Sequence, residues 1–218
     1  VTGVQTCALP IYPMSAFEFF FSFYGLLLGL SVAELVGGFS RVLHERERIR
    51  FGWLTPLLAV FVAIDIATFW NQAWVIFRGA PFNFALLVLG LVVAATFYVA
   101  ASVTFPRVAM EGKRLDLDDH FWAHRRIVFA CVLAANLIVA ATFFLVTGLS
   151  GEINRIPLGP VFWTGLAIFI GGTSIGALSP SRKWGVGALC VLVAYHVFTT
   201  GRALTALVQA GGWSLLGS

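Results

Sequence analysis

Residues Trp53 to Phe77 read W-L-T-P-L-L-A-V-F-V-A-I-D-I-A-T-F-W-N-Q-A-W-V-I-F. A helix needs about 20 apolar residues, at roughly 1.5 Å each, to cross the hydrocarbon of a bilayer, and this run exceeds that length. It holds one carboxylate, Asp65, near its middle. A charge at the bilayer centre costs at least about 2.5–3.5 kcal/mol, so Asp65 is expected to face protein or water and to find a partner there.

Working outward from this run, the chain divides into six apolar stretches. They lie at about 17–39, 53–77, 82–105, 121–146, 161–178 and 184–208. Only 11% of the 218 residues are charged and 59% are hydrophobic. A soluble domain is nearer about 25% charged, so the composition predicts an all-α polytopic helical membrane protein, a six-helix transmembrane bundle in one domain over 14–218. The net charge of +4 does not point to nucleic acid, because the basic residues sit in short loops between apolar runs. The lipid bilayer is the expected partner. Cys7, Cys131 and Cys190 make no disulfide framework, and the four His lack the paired intramembrane spacing of a haem site, so no cofactor is expected.

Val1 to Ile11, V-T-G-V-Q-T-C-A-L-P-I, resembles the translation of a sequencing-library adapter. Residues 1–13 are therefore expected to be a non-native tail, with Met14 as the native start. The first apolar stretch has no basic flank before it and no A-x-A site after it, and reads as an uncleaved anchor.

Eleven Lys and Arg, from Arg41, Arg46, Arg48 and Arg50 through Arg107, Lys113, Arg114, Arg125 and Arg126 to Arg182 and Lys183, fall on one side of the predicted spans. Three, Arg78, Arg155 and Arg202, fall on the other side or within the last span. The positive-inside rule places the eleven in the cytoplasm and both termini outside. Trp53, Trp122 and Trp184 then mark inner ends, and Trp74, Trp163 and Trp213 outer ends, as aromatic belts do.

Depth selects partners for Asp65. It lies 12 residues after Trp53, His196 lies 12 after Trp184, and Asn136 lies 14 after Trp122. All three helices run in the same direction, so these side chains are expected near the midplane, with spans 2 and 6 as neighbours. Arg202, 6 residues beyond His196, could reach inward or snorkel outward. Two readings stay open: interhelical glue, or a proton-responsive pair. Glu34 on span 1 is a further buried polar candidate. Spans 2 and 6 share several residues under a shift of 131, which chance explains among small aliphatic residues and an internal duplication would also give.

Gly25, Gly29, Ala33 and Gly37 recur every fourth residue of span 1, and Gly172 and Gly176 form a GxxxG pair on span 5. Small residues at this spacing let helix backbones approach closely, so both sets are expected to be packing faces, within the chain or in an oligomer. His120 and His124 stand at i, i+4 beside Asp116 and Asp119, a spacing able to hold a metal on one helix face. No third metal-binding partner accompanies them, and the stretch reads better as an interfacial helix start, with the carboxylates as caps.

The segments S-V-A-E-L-V-G-G-F (31–39), G-W-L-T-P-L-L (52–58) and D-L-D-D-H-F-W-A-H-R-R (116–126) are similar to parts of small multi-spanning bacterial inner-membrane proteins, a family without an assigned activity. The resemblance implies an inner-membrane location and supplies no catalytic residues. No nucleophile-elbow, P-loop or CxxC motif occurs in the chain. The preferred function is a non-enzymatic structural, assembly or sensing module. The alternative is a small proton-coupled carrier built on Asp65, His196 and Arg202.

Overall fold

The computed structural model describes residues 16–77, 83–107, 115–151 and 159–209. The adapter-like tail lies outside them, as do Arg78, Arg155, Trp213 and most of the two loops entered at Arg107 and Ser150. Six helices account for nearly all of the described chain: α1 (Ala16–His44), α2 (Leu54–Phe77), α3 (Phe84–Thr104), α4 (Leu117–Leu149), α5 (Pro160–Leu178) and α6 (Arg182–Gln209). Each is long and apolar enough to cross a membrane, and the fold is the expected all-α six-helix bundle.

Local sequence explains where the helices stop and start. Pro106 holds Phe105 in an extended conformation (φ −110°, ψ 148°) and ends α3; Pro180 does the same to Ser179 (φ −62°, ψ 126°) and ends α5. Pro160 opens α5 at its first position, where a missing N–H loses nothing. Asn83 caps α3 by accepting from the Leu86 N–H at 2.9 Å. Along the helices, the hydroxyls of Thr96, Thr104, Thr142, Thr147, Thr164 and Thr173 donate to carbonyls one turn back. Those groups need no partner on another helix.

The helices pack as two layers of three. One layer runs α1–α2–α6 and the other α3–α4–α5; α1 lies on α3, α2 on α3 and α4, and α5 on α6. A single core runs between the layers, with Phe20, Tyr24, Phe61, Phe97, Phe129, Leu189 and Leu192 fully buried. In lipid such contacts act through close packing rather than through exclusion of water.

At the end where the basic residues gather, the segments before α2 and α4 are tied together. β1 (Ile49–Arg50) pairs in parallel with β2 (Leu115–Asp116), and the Leu115 N–H donates to the Arg48 carbonyl at 3.2 Å. Arg50 reaches Asp116 at 3.6 Å. Asp116 caps α4 as expected, accepting from the Asp118 N–H at 2.8 Å. Asp118 does something else: its Oδ1 accepts from the Leu54 N–H at 3.1 Å and caps α2. Thr55 donates to the Leu117 carbonyl at 2.6 Å. Gly52 is required here, because a Cβ would collide with the Asp118 carboxylate. The result is a clasp between the first turns of α2 and α4.

Several boundaries and faces differ from the sequence expectation. α1 continues through Arg41 to His44, so Arg41 is a helical residue rather than part of a loop. The small-residue stripe of α1 faces mostly away from the chain's own core. A Cβ on Gly29 would meet nothing within 4 Å, one on Gly37 would meet only the Arg41 guanidinium, and Ala33 is exposed. The close approaches on α1 are at Gly25, against Trp70 of α2, and at Gly38, against Phe105. A four-residue period identifies a face, and the larger side chains of the neighbouring helices decide which part of it is covered. On α5 the expected pair does pack: Gly172 lies against Leu192 of α6 and Gly176 against Phe129 of α4, each too close to admit a Cβ.

Candidate functional site

The centre of the bundle holds three polar side chains from three helices. Asp65 of α2 is 2% exposed and His196 of α6 is 4% exposed. Asn136 of α4 donates from Nδ2 to Asp65 Oδ2 at 2.9 Å and to the Val132 carbonyl of its own helix at 3.0 Å. Both amide hydrogens are thereby used, which fixes the Asn136 side chain and with it one oxygen of Asp65. His196 Nε2 lies 3.9 Å from Asp65 Oδ1, beyond hydrogen-bond length, and is buried without a hydrogen-bond partner.

Aromatic rings close the surroundings. Phe61, one turn before Asp65, packs on Phe129 and Phe169, with ring centroids 5.7 and 6.4 Å away. Phe61 and Phe169 both lie against the His196 imidazole, at 5.6 and 6.3 Å. In so apolar a setting a hydrogen bond is strong and a missing one is expensive. The arrangement joins α2, α4 and α6, and leaves one imidazole nitrogen about an ångström short of the carboxylate.

The depth count therefore brings Asp65, Asn136 and His196 together and correctly makes α2 and α6 neighbours. It does not bring in Arg202. The end of α6 from Gly201 to Gln209 is exposed throughout, and Arg202 lies on it with its guanidinium 6.0 Å from the Phe198 ring. Arg202 stands 18 residues beyond Trp184, roughly 27 Å by helical rise, a depth from which a long cation snorkels outward. Glu34 pairs with Arg41 at 3.2 Å on the same helix, far from the central cluster.

His120 and His124 stack on one another with centroids 4.1 Å apart. His120 Nε2 donates to the Val103 carbonyl at 3.1 Å, tying α4 to the end of α3, and His124 Nδ1 donates to the His120 carbonyl at 3.1 Å. Among the described residues no group of three or more His, Cys, Asp or Glu is placed to hold a metal ion.

Sequence reading missed Arg125, which it used only as one of the eleven cations assigned to the cytoplasmic side. Arg125 is 4% exposed. Its guanidinium lies 4.5 Å from the centroid of the Trp122 ring and donates to the Gly176 carbonyl at 2.7 Å and to the Ser179 carbonyl. These are among the last carbonyls of α5, which have no intrahelical partner. Gly185 makes room on the other side, since a Cβ there would press on both Arg125 and Trp122. A signal was present in the i, i+3 spacing of Trp122 and Arg125 two turns inside a helix, but the acceptors lie 51 and 54 residues away. Comparison with protein-family models, with curated proteins and with solved structures found no match for the chain.

Proposed function

We propose that this chain is a non-enzymatic membrane module, a structural, assembly or sensing part, whose bundle is fastened at its centre by the hydrogen bond from Asn136 to Asp65, with His196 packed beside it. The observation that carries this reading is the way Asp65 is held: buried, and tied by Asn136 to α4. The uneven split of Lys and Arg supports a cytoplasmic basic end with both termini outside. The similarity of residues 31–39, 52–58 and 116–126 to bacterial inner-membrane proteins supports that membrane as the location. The stripe at Gly29, Ala33 and Gly37, left open by the chain's own helices, suits a second helix from an oligomeric partner.

Stability in detergent tests the central fastening. Asp65→Asn keeps a hydrogen-bonding group of the same size and is expected to be nearly neutral. Asp65→Leu leaves Asn136 without its acceptor and is expected to destabilise by about 1–3 kcal/mol. Equal stability of the Leu variant and the parent chain would refute the reading.

A proton-coupled carrier is the second reading, and the observation favouring it is the unpartnered His196 Nε2 beside Asp65. It requires Asp65→Asn to abolish a pH-dependent transport activity while the fold survives.

A further inference from the structure

At the basic end of the bundle, the turn between α5 and α6 borders an open groove of about 390 Å³ lined by Ser174, Ile175, Leu178, Ser179 and Trp184. Leu178 and Trp184 are strongly exposed, so the groove opens where the acyl chains of a bilayer would lie. The turn also carries Arg182 and Lys183, both exposed. The Arg182 guanidinium lies 5.6 Å from the centroid of the same Trp122 ring that Arg125 covers. Two guanidinium groups thus share one indole, and the described residues offer neither of them, nor Lys183, an ion pair with a carboxylate.

Arg125 has its hydrogen bonds within the protein, on the carbonyls of α5. Arg182 lies over the indole without an ion pair among the described residues, which leaves its N–H groups for a planar or tetrahedral oxyanion. Like charges gathered without a counter-ion beside an apolar groove call for an anion that has an apolar tail. We propose that this face binds an anionic phospholipid, with the phosphate on Arg182 and Lys183 and an acyl chain along Ile175, Leu178 and Trp184. Basic residues at a helix end, flanked by an interfacial Trp, match that chemistry. The proposal is independent of the role given to Asp65.

Quenching of Trp184 tests it. The full chain is placed in nanodiscs of phosphatidylglycerol and phosphatidylcholine, with one lipid or the other brominated on its acyl chains. The Trp184 contribution is read as the difference from a Trp184→Phe variant. Brominated phosphatidylglycerol is expected to quench Trp184 preferentially. Each basic side chain near an anionic surface is worth about fivefold in binding, so Arg182→Gln with Lys183→Gln is expected to remove the preference. Arg46→Gln with Arg107→Gln makes the same change in net charge at exposed positions of the same end and is expected to leave the preference in place. Equal quenching by the two lipids, or equal loss in both double variants, would overturn the proposal. So would relief of the quenching by free inorganic phosphate alone, which would assign the basic pair to a soluble anion.

Discussion

Replacing Arg125 with Met removes a buried cation from the junction of α4, α5 and α6 while keeping most of its apolar length. Two carbonyls at the end of α5, those of Gly176 and Ser179, lose their donor, and Trp122 loses the guanidinium over its ring. Hydrogen bonds from a charged donor contribute about 1.5–3 kcal/mol each, and a desolvated cation over Trp adds about 1–2 kcal/mol. Against this stands the cost of keeping a guanidinium out of water, which reaches several kcal/mol and is relieved by the substitution. The balance is a loss of about 2–4 kcal/mol, because the carbonyls remain buried after the donor has gone. For a chain of this size that lowers the unfolding midpoint by about 5–15 °C, at roughly 2–4 °C per kcal/mol. Thermal unfolding in detergent, followed by Trp fluorescence and by size exclusion, measures it. Arg126→Met, one residue along and exposed, is the comparison and is expected to change stability by less than about 0.5 kcal/mol. If the two variants unfold alike, the buried capping role of Arg125 is wrong.

Other outcomes follow from the same packing. Gly172→Ala and Gly176→Ala, pressed on Leu192 and Phe129, are expected to destabilise by about 1–3 kcal/mol, whereas Gly29→Ala, with open space around it, gains up to about 1 kcal/mol in helix propensity in the isolated chain. Asp118→Ala removes the cap of α2 and is expected to cost about 0.5–2 kcal/mol, measurable in the same thermal assay; no loss would show the clasp between α2 and α4 to be dispensable. Cysteines placed at 65 and 196 are expected to crosslink under oxidant, and failure to do so under conditions that crosslink an exposed control pair would contradict the neighbouring of α2 and α6.

The spans were legible because their signal is local: length, apolarity, and Pro or Gly at the ends. The central cluster was legible for a different reason. Asp65, Asn136 and His196 lie on helices of one direction, each with a Trp near its start, so counting residues from that Trp substitutes for a measurement of depth. The same count could not exclude Arg202, because it gives depth and not which residues of α6 its neighbours cover. Arg125 was hidden because its acceptors belong to the far end of another helix. The α1 stripe shows the complementary limit. Spacing marks Gly25 and Gly29 as equivalent, and only the position of Trp70 makes one of them a contact and leaves the other open.

The hydrogen bond between Asn136 and Asp65 joins residues 71 apart in the chain. During synthesis at about 5–20 residues per second, α2 therefore emerges roughly 4–14 s before Asn136 does, and His196 follows later still. For that interval Asp65 has neither of its eventual companions, and a helix with a central carboxylate gains little from entering hydrocarbon alone. α2 is expected to stay at a polar boundary of the insertion machinery until α4 arrives. A nascent chain halted before residue 136 should accordingly release α2 into lipid far less readily than one carrying Asp65→Leu.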